Sequence, residues 1–193
     1  MRALLQATRP SGAAQAGGGG GRMGAESELR VRRAVAGDAA TLRELRLQAL
    51  SDAPTAFGST LERELGRTSA DWARWLSPSA TFILEADSVA RGLAAGVPDA
   101  DDPGLVHLMA MWLHPELRGT GAADHLAEAV LDWATASGAA RIRLDVVLGN
   151  EAAIRLYERH GFKPTGSTTT RARDGAVEVQ MERRLRQSGR EKH

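Results

Sequence analysis

The first candidate for chemistry is a short glycine-containing turn at residues 118–123, which reads Arg-Gly-Thr-Gly-Ala-Ala. An apolar run ends just before it and a helical pattern begins inside it, so the turn leads from a strand into a helix. The first N–H groups of a helix lack intrahelical partners and, together with the helix dipole, attract anions. Small residues let a phosphate approach the backbone, and Arg118 adds a guanidinium that matches phosphate oxygens. The turn therefore predicts a site for a diphosphate.

Two other phosphate-binding loops do not fit this turn. A Walker loop requires Lys followed by Ser or Thr after its last glycine, and this chain has Ala122 and Ala123 there. The dinucleotide fingerprint requires three glycines as GxGxxG, whereas Gly119 and Gly121 are followed by an aspartate at position 124. A tight strand-to-helix turn without a ligand is the remaining alternative.

The sequence around the turn predicts the elements that position it. Residues 105–113 form an apolar run of the length of a buried strand, which Pro115 ends because proline cannot donate to a ladder. A helix with one apolar face is predicted from Ala122 to a stop at Gly138. A second strand is predicted over 141–148. A second helix then follows, capped by Asn150 and ended by Gly161.

These motifs, taken in this order, resemble those of the GNAT superfamily of N-acetyltransferases. Arg118-x-x-Gly121-x-Ala123 is similar to the family's acyl-CoA signature, and residues 112–116 resemble the end of the family's central strand. A later family signature is similar to Asn150-x-x-Ala153-x-x-x-Tyr157-x-x-x-x-Gly161-Phe162. The resemblance is dense over residues 104–164 and looser over residues 29–186.

The resemblance implies an α/β fold with a mixed, mostly antiparallel sheet of about six or seven strands, flanked by helices and splayed at the central strands. It also implies acetyl-CoA as the acyl donor. The implied cofactor-binding residues are the turn, the end of the central strand whose backbone would pair with the pantetheine amides, and the helix cap: Met111, Trp112, Leu113, Arg118, Gly119, Thr120, Gly121, Ala122, Ala123 and Asn150.

Tyr157 is the only tyrosine in the chain and stands where the family places its general acid. A phenol with a pKa of about 10 is well matched to protonate a departing thiolate. The alternative is a tyrosine that only packs on the apolar face of its helix. For Asn150 the alternative to a pantetheine contact is a simple helix cap, and one residue can do both.

A base is also expected, because a free alkyl amine is mostly protonated at neutral pH. His107 lies in the predicted central strand, and some family members carry a glutamate near this position, so we interpret the histidine as its substitute. A histidine held within the core is the alternative. Less supported candidates are Glu62, Glu64 and Glu85. The five dispersed histidines show no paired ligand spacing, so no metal site is expected.

The expected reaction is direct transfer of acetyl to a primary amine within a ternary complex. The chain has no cysteine and no Gly-x-Ser-x-Gly elbow, so no nucleophile for an acyl-enzyme is evident. A small-molecule acceptor is favoured. The alternatives are a protein or peptide N-terminal acetyltransferase and a non-catalytic acyl-CoA-binding module on the same fold.

Composition bounds the remaining possibilities. A length of 193 residues suggests one domain, and a formal net charge of +1 argues against nucleic acid or membrane as a partner. No apolar run reaches the roughly 20 residues of a membrane span. The absence of cysteine is consistent with a cytoplasmic location. The sequence is compatible with a homodimer and does not decide the oligomeric state.

The rest of the chain predicts the periphery of the domain. Residues 1–27 are rich in Gly, Ala and Arg and predict a disordered extension, residues 28–186 the acetyltransferase domain, and residues 187–193 a polar tail. Within the domain, Asp38 is predicted to cap a helix over residues 39–50. Trp72 and Trp75 are interpreted as packing a later helix on the sheet, with contact to a substrate as the alternative. Residues 163–171 and 176–185 predict a final hairpin.

Overall fold

The predicted strands and helices form a mixed α/β fold in the computed structural model, which describes residues 28–77 and 79–186. The extension at 1–27 and the tail at 187–193 lie outside these residues. The strands are β1 (Leu29–Arg33), β2 (Ala80–Ala86), β3 (Val89–Pro98), β4 (Leu105–Leu113), β5 (Arg141–Val147), β6 (Lys163–Thr170) and β7 (Val177–Arg184). The α-helices are α1 (Ala39–Asp52), α2 (Leu61–Leu65), α3 (Ser69–Trp75), α4 (Ala122–Ala136) and α5 (Glu151–Arg159).

The seven strands lie in one sheet, in the order β1-β2-β3-β4-β5-β7-β6. Neighbouring strands are antiparallel except β4 and β5, which run parallel because the crossover helix α4 connects them. These two strands pair only over residues 105–107 and 141–143 and then separate. The predicted fold class, including the splay at the central strands, is confirmed.

A bulge lies in β4 just beyond the point where it leaves β5. Leu93 of β3 pairs with Trp112, but Ala95, two residues later, pairs with Met109, so β4 carries one extra residue between them. Ala110 takes a φ of 57°, a left-handed conformation that costs a non-glycine residue roughly 1–2 kcal/mol. Bulges re-aim the side chains of a strand, and this one lies where the sheet opens.

Helices cover both faces of the sheet. On one face α4 buries Leu126 and Val130 against the central strands. On the other face α1 and α3 bury Leu45 and Trp72 against the sheet. Trp72 is fully buried and stacks on Trp75 with ring centres 5.5 Å apart, so the predicted packing role of Trp72 is confirmed.

Asp38 is the N-cap residue of α1, as predicted, but its carboxylate makes no capping hydrogen bond to that helix. Instead it accepts two hydrogen bonds of 2.8 Å from the Arg32 guanidinium and one of 2.7 Å from the N–H of Val35. A charged fork on β1 competes better for the carboxylate than the neutral helix N–H groups do.

Candidate active site

The turn between β4 and α4 has the conformation that its glycines predict. Gly119 and Gly121 have φ values of 78° and 88°, which glycine adopts without steric cost. Gly121 is the N-cap of α4, and the helix begins at Ala122. A Cβ atom added at either glycine would meet no atom within 4 Å. The helix start therefore faces open space, in which an anion could approach the N–H groups of the turn, although the N–H of Ala122 already donates to Thr120 Oγ1 at 3.4 Å.

Arg118 is held at the mouth of this turn by a residue that sequence reasoning missed. Its Nε donates to the carbonyl of Leu113 at 3.2 Å, and its Nη2 donates to the carboxylate of Asp52. Asp52 also accepts a 2.9 Å hydrogen bond from the indole N–H of Trp112. Burial opposes ionisation of Asp52, but the bonds from Trp112 and Arg118 outweigh it and lower the pKa of the carboxyl. No local signal joins residues 66 positions apart.

A second arginine lies near the helix start. Asp124, in the first turn of α4, accepts hydrogen bonds from Arg159 at 3.0 Å and His160 at 2.9 Å. Burial opposes ionisation of Asp124, but the bonds from Arg159 and His160 outweigh it and lower the pKa of the carboxyl. This aspartate would otherwise repel an anion at the helix start. Its two cationic or polar neighbours offset that charge.

A groove of about 680 Å³ runs from the turn along the free edge of β4. Its lining includes the sequence-predicted residues Met111, Trp112, Leu113, Arg118, Gly119, Gly121, Ala123 and Asn150. Two other predicted residues do not line it. Ala122 is fully buried, and Thr120 donates its hydroxyl to the carbonyl of Leu117 at 2.7 Å. Asn150 caps α5 as predicted, because its Oδ1 accepts from the N–H of Ala153 at 3.3 Å.

The groove ends at a small cavity of about 110 Å³ in the splay between β4 and β5. Groove and cavity share Phe57, Met111 and Asn150 in their linings. Tyr157 of α5 lines the cavity and packs edge-on against Phe162, with ring centres 5.8 Å apart. Burial raises the pKa of the Tyr157 phenol well above its usual value of 10, so the hydroxyl keeps its proton.

The cavity brings Tyr157 together with an acid that sequence reasoning missed. Asp145 of β5 lines the same small space and is exposed, although the residues on both sides of it are largely buried. The sequence did contain a sign of this residue. Asp145 is the one carboxylate in the strand sequence Arg-Ile-Arg-Leu-Asp-Val-Val, in which every second residue is apolar and faces the core. Only the separation of β4 from β5 makes that position face a cavity.

The structure places His107 away from this cavity. Its ring Nε2 lies 2.8 Å from the carboxylate of Asp99 on the β3–β4 loop, and His107 does not line the groove or the cavity. His107 lies in the last paired step between β4 and β5, before the splay begins. Two other base candidates are engaged: Glu64 forms an ion pair with Arg67, and Glu85 accepts from Arg32.

Comparison with known proteins identifies relatives of this arrangement. The family model described as Acetyltransferase (GNAT) family matches residues 45–162. An uncharacterized N-acetyltransferase of Mycobacterium tuberculosis is 34% identical over 119 residues, which cover 62% of this chain and 75% of that protein. The same identity and coverage hold for an uncharacterized N-acetyltransferase of Mycobacterium bovis.

Solved structures share the fold at lower identity. A GNAT-family acetyltransferase from Streptococcus pneumoniae has a TM-score of 0.71 and 22% identity, covering 82% of this chain and 100% of that chain. The Salmonella typhimurium protein yncA, solved with its cofactor acetyl-CoA, has a TM-score of 0.71 and 19% identity, covering 84% and 97%. Within the described part of the chain, no helix is long and apolar enough to cross a membrane.

Proposed function

The chain belongs to the GNAT family of acetyltransferases, and from this premise we propose that it transfers acetyl directly from acetyl-CoA to a primary amine on a small molecule. One observation carries the proposal. The groove that begins at the glycine turn ends at a cavity lined by both a protonated phenol, Tyr157, and a carboxylate, Asp145.

The groove fits the donor in three parts. The diphosphate would lie at the α4 start, held by the turn N–H groups and by Arg118, with Arg159 nearby. The pantetheine arm would lie along β4 at Met111 and Leu113, where the departure of β5 leaves ladder groups without a strand partner. The Oδ1 of Asn150 accepts the hydrogen bond that caps the helix, so its amide N–H groups would donate to the pantetheine arm. The thioester would then reach the cavity.

The cavity supplies groups for the proton transfers that the reaction requires. We assign the base to Asp145 rather than to His107, because Asp145 lines the cavity and His107 does not. Asp145 takes a proton from the ammonium, directly or through one water, and the free amine attacks the thioester carbonyl. When the carbon–sulfur bond breaks, the Tyr157 hydroxyl donates its proton to the thiolate, and the nitrogen, which carries one proton more than an amide, returns a proton to the phenolate, directly or through one water. No acyl-enzyme is needed, since the chain has no cysteine.

Two variants test this assignment by steady-state release of CoA, with the acetylated product identified by mass. Tyr157→Phe keeps the ring and its contact with Phe162, so we expect kcat to fall on the order of 10²-fold. Acetyl-CoA affinity should change by less than about fivefold, because one neutral hydrogen bond contributes about 1 kcal/mol. Asp145→Asn should lower kcat/KM most at low pH, where less of the amine is already free.

Several outcomes would contradict the proposal. A wild-type protein that binds acetyl-CoA but acetylates no amine in a broad screen would be a binding module. If only peptide N-termini are acetylated, the acceptor is a protein or peptide and not a small molecule. Turnover unchanged in Tyr157→Phe would leave the tyrosine as a core residue, and an unchanged pH profile in Asp145→Asn would assign the base elsewhere.

A further inference from the structure

A third hollow lies beside the reaction cavity. It measures about 620 Å³ and shares Met109 and Ala110 with the cavity. It shares no lining residue with the groove assigned to acetyl-CoA, so the donor phosphates belong elsewhere. Its charged lining consists of four arginines and two carboxylates: Arg46, Arg63, Arg67, Arg74, Glu64 and Asp71. We refer to it as the arginine pocket.

The two carboxylates of the arginine pocket are already paired. Glu64, which is 1% exposed, forms an ion pair with Arg67, and Asp71 forms one with Arg74. Within residues 28–77 and 79–186, Arg46 and Arg63 have no ion pair. The pocket therefore carries an excess of positive charge, and an anionic ligand would balance it.

Of the four arginines, Arg46 is the one best placed to bind an anion. It projects from α1, is only 6% exposed, and lines the pocket. Its guanidinium carbon lies 4.6 Å from the ring centre of Phe57 and 5.4 Å from that of Trp75. Among the described residues, its Nε and Nη1 have no hydrogen-bond partner. Burial, opposed by Glu64, lowers the pKa of this guanidinium, although an arginine stays charged in proteins.

A buried charge without hydrogen bonds is costly, and a ligand would supply the missing partners. The planar fork of Arg46 matches the two oxygens of a carboxylate or phosphate, and the flanking aromatic rings reduce competition from water. Ser59 adds a second unsatisfied group, because its Oγ is buried without a partner and Ser59 lines the same pocket.

We propose that the acceptor of this acetyltransferase is a small amine that also carries an oxyanion, a carboxylate or a phosphonate, which the arginine pocket binds through Arg46. The inference rests on the proposed function and names the class of its acceptor. The amine lies in the cavity between Asp145 and Tyr157, and the oxyanion lies on the far side of Met109 and Ala110. Arg46 is thus a specificity-determining residue.

Matched acceptors test the proposal. We would assay ω-amino acids of increasing chain length, each beside its carboxamide and its aminoalkylphosphonate, by CoA release. The carboxamide keeps the shape and removes the charge. We expect the acids or the phosphonates to be preferred over the amides at least about tenfold in kcat/KM, which equals about 1.4 kcal/mol. The better of the two oxyanions identifies the acceptor chemistry, and the best chain length measures the span from Arg46 to the cavity.

Two variants separate recognition from packing. Arg46→Met keeps an extended apolar side chain against Phe57 and Trp75 and should remove the preference for the oxyanion, so that each acid and its carboxamide react with similar kcat/KM. Arg43→Met, an exposed position on the same helix that does not line the pocket, controls for the loss of one positive charge and should keep the preference. Because the Nε and Nη1 of Arg46 lack hydrogen-bond partners and methionine keeps the contact with the two rings, the melting temperature of the unliganded protein should stay close to that of the wild type.

Failure of the oxyanion inference and failure of the proposed acetyltransferase function give different results. Equal turnover of acids and amides by the wild type overturns the inference and leaves the acetyltransferase intact. So does an oxyanion preference that survives in Arg46→Met. If no amine is acetylated, the proposed function fails. The inference is then decided by direct binding: the acid or phosphonate, but not the amide, must raise the melting temperature of the wild type and not of Arg46→Met. Absence of that shift in the wild type refutes it.

Discussion

The ionisation of Tyr157 gives a direct test of the environment assigned to the general acid. The test raises the pH of the protein solution through the range in which a phenol ionises. In an unfolded chain the phenol loses its proton near a pH of about 10. In the folded protein burial raises the pKa of Tyr157, so the native state should hold this proton well above that pH. Tyr157 is the only tyrosine, so all tyrosinate absorbance belongs to it.

The sign of the effect on stability follows from the direction of this pKa shift. The folded pKa lies above the unfolded one, so the folded state binds more protons above a pH of about 10. The contribution of Tyr157 to stability is complete below the unfolded pKa and is lost as pH rises toward the folded pKa. Between the two pKa values, the free energy of unfolding should fall by up to about 1.36 kcal/mol per pH unit from this group.

The assay follows tyrosinate absorbance in the near ultraviolet, with far-ultraviolet circular dichroism recorded on the same samples. We expect no tyrosinate signal at a pH of about 10 while the circular dichroism is native, and a midpoint near 10 in concentrated urea. Tyr157→Phe should show no signal in either state. A native protein that ionises near pH 10 would refute the buried environment of the phenol and weaken its assignment as a proton reservoir.

Two further predictions concern glycines, each with a matched control. Gly121→Ala and Gly138→Ala lie at the two ends of α4, at φ values of 88° and 83° and in open space, so each should lower the free energy of unfolding by about 1–2 kcal/mol in a denaturant titration. Only Gly121→Ala should weaken acetyl-CoA binding by calorimetry, about tenfold or more, since its Cβ would lie where we propose that the diphosphate binds. Equal affinities of the two variants would contradict the proposed phosphate site. In Gly96→Ala the new Cβ would lie 2.5 Å from the ring of Trp133, so overpacking should cost about 1–3 kcal/mol. Gly37→Ala, with no atom within 4 Å, should cost nothing, and similar midpoints for this pair would refute the packing argument.

The groove was predictable because its signals are local. The glycine turn, the helix that starts at Ala122 and the cap at Asn150 each depend on residues a few positions apart. Periodicity and turn residues report such short-range geometry directly. The bounds of β4, residues 105–113, follow from one apolar run and one proline for the same reason.

Of the two groups that we propose for proton transfer, the sequence pointed to only one. Tyr157 belongs to a recognisable motif. Asp145 belongs to none, and the residues on both sides of it in its strand point into the core. His107 appeared suitable from strand alternation, but Asp99 lies 2.8 Å from its ring. That pairing depends on how the β3–β4 loop folds back, which alternation does not encode.

By itself the sequence determined the order of the elements, the conformation of the glycine turn and the position of the phenol, because each follows from chain-local stereochemistry. The tertiary structure decided what those elements enclose. It opened the cavity by ending the β4–β5 pairing after three residues, and it bent β4 at Ala110. It also joined Asp52 to Arg118 and buried Arg46 beside Trp75. These contacts join residues far apart in the chain, and only packing of the whole sheet brings them within reach.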